Sequence, residues 1–194
     1  MPLDINLLIA RRIRELREAA GLSLAALAEL SGVSRSTISL IERGESSPTA
    51  TVLDRLSAAL GITLASLFDQ PAETPSPVSR SADQVTWTDP VSGYLRRTLS
   101  PAADAALQLV DVHFPAGQRV AYDTATRERD VHQQVWLIDG AMEITVGAEH
   151  WTLAAGDCLA MRLDRPITFH NPLDRTARYL VALSTHPLAP RRTA

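Results

Sequence analysis

The segment from Gly21 to Thr49 constrains the fold of this chain more than any other part of its sequence. Ser23 stands where its hydroxyl can cap the start of one short helix, and Ser34 stands where it can cap a second. Between the two, Gly32 supplies the permissive backbone that a tight turn requires. Two short helices joined by so tight a turn form a helix-turn-helix.

The second predicted helix presents a polar face to its surroundings. Apolar side chains of both helices can converge on one small core, which leaves on the outward face Arg35, Ser36, Thr37 and Ser39. In such motifs the N-terminal end of the second helix enters the major groove, so Arg35 and Ser36 are the best placed to reach base edges. The sequence therefore predicts a double-stranded DNA operator as a partner. It also predicts a homodimer, because each subunit brings one recognition helix.

The helical half also carries a set of ordered motifs. The strings RRIRELREAAGLSLAALA, GVS, IERG, SPT and LGITLASLF follow one another between Ile9 and Phe68. In this order they resemble the phage-repressor-like, or XRE, family of helix-turn-helix regulators. The resemblance implies an all-α domain of five helices, whose second and third helices dock on DNA. It also implies a structural ion pair between Arg17 and Glu42.

Further candidate DNA contacts lie around the recognition helix. Ser34 begins that helix, and the resemblance carries over backbone contacts for Ser23, Arg43, Ser46 and Thr49. Leu40 stands where many family members have a polar or basic residue. Readout at Leu40 would therefore be apolar, for example against a thymine methyl group.

The composition predicts a globular protein of the cytosol. Of the 194 residues, 45% are hydrophobic and 21% are charged, and no apolar run approaches the roughly 20 residues needed to cross a bilayer. The first residues lack the order of a secretory signal, and a single cysteine, Cys158, excludes an internal disulfide. The formal net charge is -3, and residues 1–70 hold seven arginines and eight acids. DNA binding would therefore depend on where individual arginines lie.

The pattern along the chain predicts two domains and a linker. Residues 1–70 have apolar residues at helical spacing and form the predicted DNA-binding domain. Residues 71–82 are rich in proline and serine, which indicates a semi-rigid, extended linker. Residues 83–188 contain short alternating runs, such as LQLVDVHF and MEITV, that end at turn residues. Such runs predict an antiparallel sandwich or barrel.

The C-terminal half contains a second set of ordered motifs. A strand ends in IDG, a hairpin and the string AGD follow, and an NP turn comes at Asn171 and Pro172. In order and spacing this half resembles a cupin. An XRE domain followed by a cupin resembles a class of single-chain regulators in which the barrel senses a small molecule. The resemblance thus implies an N-terminal five-helix domain and a C-terminal all-β, cupin-type barrel.

The metal site that many cupins possess is not retained in this sequence. Such cupins use two histidines and a glutamate on one strand pair and a third histidine on a later strand. Here the glutamate position falls on Gln133 and the later histidine on Ile167. The paired histidines fall near Arg127 and Arg129, or one residue earlier if the loop is longer. Arginine and isoleucine do not ligate metals, so we expect neither a metal nor another cofactor.

Two histidines lie near this lost site without restoring it. If Gln133 and Ile167 face the barrel interior, His132 and His170 face outwards, because side chains alternate along a strand. A shifted register or a bulge would change this expectation.

Without a metal, the barrel can still bind one small molecule. Arg127, Arg129 and Gln133 would donate hydrogen bonds, and the candidate lining residues are Tyr122, Val135, Leu137, Met142, Ile144 and Phe169. Arginine suits carboxylate, sulfate or phosphate, so an anionic metabolite is the working hypothesis for the effector. Alternatively, residues 127–130 form a solvated loop of mixed charge.

Three classes of function remain open. The chain can be a regulator whose barrel changes operator affinity on binding a metabolite, by a coupling of about 1 to 3 kcal/mol relayed through the linker. It can also be a constitutive DNA-binding dimer that the barrel only holds together, or an enzyme tethered to a DNA-binding domain. An enzyme is disfavoured, because the metal ligands are missing and Cys158 has no recognisable base beside it in a motif.

Overall fold

The N-terminal domain is built from four α-helices. A computed structural model of the chain describes residues 4–68, 76–101, 107–123 and 130–186. Its helices are α1 (Ile5–Ala19), α2 (Leu24–Ser31), α3 (Arg35–Glu42) and α4 (Ala50–Ala59). Each begins at a side chain that accepts a hydrogen bond from a backbone N–H in the first turn, and these caps are Asp4, Ser23, Ser34 and Thr49. The predicted helix-turn-helix is therefore confirmed as α2 and α3.

The turn between α2 and α3 has the predicted chemistry. Gly32 ends α2 with φ 65°, in the left-handed region where a side chain is disfavoured. Fully buried aliphatic side chains from all four helices then form the domain core, namely Ile9, Ile13, Leu27, Ile38, Ile41, Leu53 and Leu56. Each such side chain contributes roughly 1.5 to 3 kcal/mol on burial, so this core holds α3 firmly against its neighbours.

The expectation of a fifth α-helix is wrong. Ala65–Phe68 form a single 3₁₀ turn, in which Ser66 N–H donates to the carbonyl oxygen of Thr63 at 3.1 Å. Four residues are too few to nucleate an α-helix, and 3₁₀ geometry satisfies such short pieces. The side chains of Leu67 and Phe68 are fully buried. Packing therefore decides the conformation of this segment.

The C-terminal domain consists of ten strands. They are β1 (Thr86–Thr88), β2 (Leu95–Thr98), β3 (Leu107–Phe114), β4 (Arg119–Tyr122), β5 (Asp130–Asp139), β6 (Ala141–Val146), β7 (Glu149–Ala154), β8 (Cys158–Arg162), β9 (Ile167–His170) and β10 (Ala177–His186). All pair antiparallel, in a six-stranded sheet of order β1-β2-β3-β10-β5-β8 and a four-stranded sheet of order β4-β9-β6-β7. The all-β prediction is confirmed. The described strands form two sheets rather than one closed barrel, because no ladder joins the two sheets within this part of the chain.

Alternation along β5 determines which of its side chains face the space between the sheets. From 131 to 137 the odd-numbered residues are buried, namely Val131, Gln133, Val135 and Leu137, whereas positions 132, 134 and 136 are exposed. This is the period of two expected for a strand with one face in the core. Strand β5 lies between β10 and β8, so Gln133 brings a polar side chain into the domain interior.

The two domains contact each other directly. The N–H of Ala50, at the start of α4, donates to Asp89 Oδ1 at 2.8 Å, and the Thr51 hydroxyl donates to the carbonyl oxygen of Ala121 at 3.0 Å. Of the predicted linker, residues 71–75 lie outside the described residues, and Ser81–Asp83 form one 3₁₀ turn. The linker is therefore not the only connection between the domains.

Candidate functional site

The first turn of α3 presents the residues nominated for base contact. Arg35 and Ser36 are exposed, whereas Thr37 and Ser39 are half-buried. The Ser34 hydroxyl lies 2.9 Å from the Ser36 hydroxyl and 2.7 Å from the Thr37 hydroxyl. Helix N-termini also carry unsatisfied N–H groups and partial positive charge. The start of α3 therefore offers a guanidinium, hydroxyls and a dipole that all favour an anionic, hydrogen-bonding partner.

The later part of α3 is less polar and more constrained. Leu40 is 39% exposed, so it presents an apolar surface to solvent. The Arg43 guanidinium donates to both carboxylate oxygens of Glu45 at 2.8 Å and also to the Ser39 hydroxyl. The hydrogen bonds to Glu45 raise the pKa of Arg43 and lower that of Glu45. A phosphate that contacts Arg43 must compete with this carboxylate.

The remaining candidates for DNA contact lie at helix starts and in a loop. Ser23 is exposed, and its hydroxyl caps α2 by accepting from Ala26 N–H at 3.1 Å. Thr49 is half-buried, and its hydroxyl caps α4. Ser46 is half-buried in the loop after α3. Ser23 and Thr49 therefore have a structural role whether or not they touch DNA.

The ion pair implied by the family resemblance is confirmed. The Arg17 guanidinium donates to both carboxylate oxygens of Glu42 at 2.7 Å and to the carbonyl oxygen of Leu22 at 2.9 Å. The hydrogen bond with Glu42 raises the pKa of Arg17. This bidentate pair joins α1 to the end of α3 and so helps to fix the recognition helix.

Replacing Arg17 by methionine is expected to lower the free energy of unfolding by about 2 kcal/mol, because Glu42 would retain a nearly buried charge without its partner. The two side chains are only 12% and 8% exposed. Arg14→Met is the matched control, since the Arg14–Glu18 pair is 63% and 53% exposed and should cost under about 0.5 kcal/mol. Urea unfolding measures both, and equal losses would contradict a structural role for the Arg17 pair.

A cavity of about 80 Å³ lies between the two sheets, on the side that meets the helical domain. Both domains line it: Asp54 of α4 and residues 63–65 belong to the helical domain, and the rest of the wall comes from the strands and loops of the β domain. Most of this wall is apolar or aromatic. Its polar side chains are Asp54, Thr63, Arg96, Gln133 and three tyrosines. A concave, largely apolar site with a few polar groups is the usual form of a small-molecule pocket.

The candidate ligand residues divide into three groups. Tyr122, Gln133 and Phe169 line the cavity. Arg127 and Arg129 lie outside the described residues. The remaining four candidates are fully buried and are not among the residues that line this cavity, namely Val135, Leu137, Met142 and Ile144. Their role as pocket lining stays a prediction.

Sequence reasoning missed the two charged residues of the cavity. Arg96 is 4% exposed and Asp54 is 2% exposed. Alternation in GYLRRT places Arg96 on the same face as Tyr94, but the strand is too short to show which of its two arginines points inwards. Asp54 follows Ala50 by four residues on the buried face of α4. An acidic residue among the apolar residues on one face of a helix was the sequence signal that could have identified Asp54.

Aromatic rings connect the cavity to the helical domain. Phe68 packs against Trp87, Trp87 against Tyr94, and Tyr94 stacks on Phe114, with ring centroids 5.6 to 5.7 Å apart. On the opposite sheet, Tyr122 packs edge-on against a cavity-lining ring, and its hydroxyl lies 3.0 Å from that of Tyr94. Such pairs contribute about 0.5 to 1.5 kcal/mol each beyond their burial. The cluster therefore couples the position of Phe68 to the shape of the cavity.

The cavity tyrosines are held in their neutral form. Burial raises the pKa of Tyr94, and it raises the pKa of Tyr122 and of Tyr179 well above the usual value. All three hydroxyl groups therefore keep their protons at neutral pH, and one hydroxyl of the Tyr94–Tyr122 pair donates to the other.

The histidines near the expected metal position lie on other faces. Ile167 and Gln133 line the cavity, whereas His132 is exposed. The His170 imidazole is half-buried, and its Nδ1 lies 2.8 Å from Glu143 Oε2. Within the described ranges, no group of three or more His, Cys, Asp or Glu side chains is arranged to hold a metal ion.

A helix-turn-helix followed by a β domain is the architecture of a DNA-binding protein with an attached second domain. Residues 13–67 match the HTH_3 helix-turn-helix family model. The N-terminal domain is therefore an HTH_3-type helix-turn-helix domain, and it precedes a β domain of two antiparallel sheets.

Relatives of known class cover nearly the whole chain. The HTH-type transcriptional regulator PuuR of Escherichia coli is 29% identical over 174 residues, which cover 87% of this chain and 90% of PuuR. SutR, another HTH-type transcriptional regulator of E. coli, is 26% identical over 172 residues, or 88% and 91% of the two chains. The crystal structure of an HTH_3 family transcriptional regulator from Vibrio cholerae shares the fold, with a TM-score of 0.74 and 24% identity over 96% of this chain and 98% of that one.

None of the helices in the described ranges is both long and apolar enough to cross a membrane.

Proposed function

We propose that this protein binds a DNA operator as a homodimer and that a small metabolite in the interior cavity controls that binding. The observation that carries the proposal is the shared lining of the cavity. Asp54 on α4 and Ala65 in the following 3₁₀ turn belong to the helical domain, yet they line the same space as strands of the β domain. A ligand there contacts both domains, so its affinity depends on how they are docked.

The DNA contacts follow the geometry of α3. Arg35 and Ser36 are exposed in the first turn of that helix, which supports a role for them at base edges. Leu40 supplies an exposed apolar contact later in the helix. Ser23, Arg43 and residues 46 and 49 would hold the phosphate backbone.

Direct contacts between the domains provide the route from ligand to DNA. Asp89 and Thr51 attach the start of α4 to the β domain. The Arg96 guanidinium lies 4.1 Å from the centre of the Phe68 ring, across the same boundary. A change in the packing of the strands can therefore reach the helical domain through these direct contacts, without passing through the linker. The operator would respond because α3 and α4 both pack against α2, in a core that includes Leu27, Ile38 and Leu53.

The outer face of the six-stranded sheet suits the joining of two subunits. We call it the apolar outer face, and it consists of Leu109, Trp136, Leu180, Ala182 and the small side chains of residues 158 and 160, with the exposed Gln134 between residues 182 and 160. Trp136 is 48% exposed at its centre. Trp136 lies in register between Leu180 and Cys158. An exposed tryptophan beside apolar side chains is characteristic of a binding surface, and a C2 dimer uses the same patch twice.

Replacing Trp136 by arginine is expected to shift the dimer to monomer and weaken operator binding at least about tenfold, because a buried unpaired charge costs several kcal/mol. Analytical ultracentrifugation measures the shift. Val91→Arg is the matched control, since Val91 is 77% exposed in the β1–β2 turn, away from this face. Cys158 pairs with Trp136 in register and should react slowly with maleimide only in the dimer. If the Trp136→Arg variant remains dimeric, the dimer interface lies on another surface.

A thermal-shift screen with metabolite fractions, followed by operator titration, tests sensing. A hit that raises the melting temperature and changes operator affinity at least about fivefold supports the proposal. A constitutive dimer, in which the β domain only joins subunits, would show neither effect. The regulatory relatives favour a regulator over an enzyme. Turnover of the hit compound by the purified protein would reverse that preference.

A further inference from the structure

The side-chain amide of Gln133 differs from three other polar groups of the cavity wall. The Thr63 hydroxyl donates to Gln108 Oε1 at 3.2 Å, and the hydroxyls of Tyr94 and Tyr122 lie 3.0 Å apart. Gln133 is only 8% exposed, yet within the described part of the chain its side-chain amide has no hydrogen-bond partner. Because Gln133 lines the cavity, its N–H and carbonyl groups remain for whatever occupies that space.

The strand register explains why the protein itself does not satisfy this amide. Gln133 lies in register between Leu183 on β10 and Met161 on β8. The nearest residues of β5 on the same face are Val131 and Val135. All four neighbours are buried and none carries a polar side-chain group that bonds an amide well. An amide buried in apolar surroundings is unfavourable unless another molecule bonds it.

The chemistry of a side-chain amide defines the group that complements it. The amide has N–H donors on one atom and an acceptor oxygen on the next. A carboxylate or a ketone supplies acceptors only, and an ammonium supplies donors only. A second amide supplies one donor beside one acceptor, so the two pair through two parallel hydrogen bonds. Being uncharged, it also enters an apolar interior at a lower desolvation cost than an ion.

We propose that the cavity binds a small uncharged amide, a primary amide or a ring lactam, through the side chain of Gln133. The N–H of the ligand donates to the Gln133 carbonyl oxygen, and its carbonyl oxygen accepts from the Gln133 amide nitrogen. This inference rests on the proposed function. It names an amide where the sequence suggested an anionic metabolite.

The size and the remaining wall of the cavity limit the rest of the ligand. The cavity measures about 80 Å³. A single water needs roughly 10 to 15 Å³ on the same measure, so the space equals about five to eight water-sized positions. Aliphatic side chains of the wall, including Ile167, Val181 and Leu183, suit a short hydrocarbon part. Amides of five or six non-hydrogen atoms are therefore suitable probes.

The position of Gln133 connects the ligand to the helical domain. Leu183 lies in register between Gln133 on one side and Gln108 on the other. Gln108 accepts the hydrogen bond from Thr63, the residue that leads into the 3₁₀ turn of the helical domain. The ligand thus lies at the part of the β domain that contacts the helices. An amide that binds Gln133 should therefore also change operator affinity.

Titration calorimetry of the full-length protein with matched probes tests the requirement for an amide. Propionamide is compared with butanone, which has the same number of non-hydrogen atoms and no N–H, and with propionate, which is charged. For the lactam, 2-pyrrolidone is compared with cyclopentanone in the same way. We expect at least one amide to bind at least about tenfold more tightly than its matched ketone and than propionate, because each alternative leaves the Gln133 carbonyl oxygen without a donor.

Gln133→Met tests whether this residue causes the preference. Methionine has a similar length but forms no strong hydrogen bond, so the amide and its matched ketone should bind within about twofold of each other. Gln134→Met is the matched control, since Gln134 is exposed on the opposite face of β5 and its variant should keep the tenfold preference. Thermal unfolding confirms that both variants are folded. If Gln133→Met does not fold, the comparison of probes on the unaltered protein still decides.

The outcomes separate this inference from the proposed function. A preference for amides that Gln133→Met removes and Gln134→Met retains supports the inference. Equal binding of each amide and its matched ketone, or tighter binding of propionate, overturns it and leaves metabolite sensing intact. A metabolite fraction that alters operator affinity while both amides fail also overturns only the inference. If no fraction and no probe binds, the proposed sensing function fails as well.

Discussion

Replacing Arg35 by alanine is expected to weaken binding to a selected operator about a hundredfold. Arg35 is exposed in the first turn of α3, where a recognition helix reaches base edges. One such contact contributes about 1 to 3 kcal/mol, and the proposed homodimer would lose it in both half-sites. The operator is obtained by selection from random duplexes with the unaltered protein. Fluorescence anisotropy at fixed salt then measures the dissociation constants.

Arg11→Ala provides the matched control for this experiment. Its side chain is 79% exposed on α1 and pairs with Glu15, so the substitution removes the same charge from another surface. We expect a change of at most about threefold, through long-range electrostatics alone. Loss of sequence preference should accompany Arg35→Ala only. If both substitutions weaken all duplexes equally, Arg35 binds phosphate or nothing, and base readout must lie elsewhere on α3.

Replacing Asp89 by alanine is expected to cost about 4 kcal/mol of stability, because three buried donors lose their acceptor and each costs about 1 to 3 kcal/mol. The carboxylate accepts from Ala50 N–H at 2.8 Å, from Ser92 N–H at 2.7 Å and from the Ser92 hydroxyl at 2.6 Å. Asp89 is 3% exposed. Its loss also removes one of the two hydrogen bonds that attach the start of α4 to the β domain, so a ligand should change operator affinity less.

Two further variants show whether this effect is specific. Asp89→Asn keeps one acceptor oxygen and should cost about half as much. Asp83→Ala removes an exposed acid from the nearby 3₁₀ turn and should leave unfolding unchanged within about 0.5 kcal/mol. Guanidinium unfolding is monitored separately for the helical and the β domain. A weakened domain boundary separates the two unfolding transitions, whereas a global loss of stability shifts both together. An Asp89→Ala variant with normal ligand response would show that coupling follows another route, such as the linker at residues 71–82.

The helical domain was largely predictable, because its signals are local. Ser23 and Ser34 each cap a helix by accepting from the backbone N–H three residues later, and Gly32 ends α2 in the left-handed region. Each of these signals acts within one helical turn. The exception is the segment at Ala65–Phe68, where the helical pattern continues but only a 3₁₀ turn forms. Packing against the β domain governs that segment.

The cavity was only partly predictable. The candidates from the sequence include Tyr122, Gln133 and Phe169, and these three line it. Alternation along a strand cannot distinguish a residue that lines a cavity from one packed elsewhere in the core, so it could not show that Val135 and Leu137 lie away from this cavity. That distinction depends on the side chains of both sheets together.

The sequence by itself determined that the chain is a helix-turn-helix domain followed by a β domain, because caps, turn glycines and apolar periodicity act over a few residues. Only the tertiary structure decided the character of the cavity. Arg96 and Asp54 line the same cavity because α4 docks on the β domain, and hydrogen bonds of Asp89 and Thr51 stabilise that docking. Contacts between distant segments arise from packing, and no local pattern encodes which residues will meet.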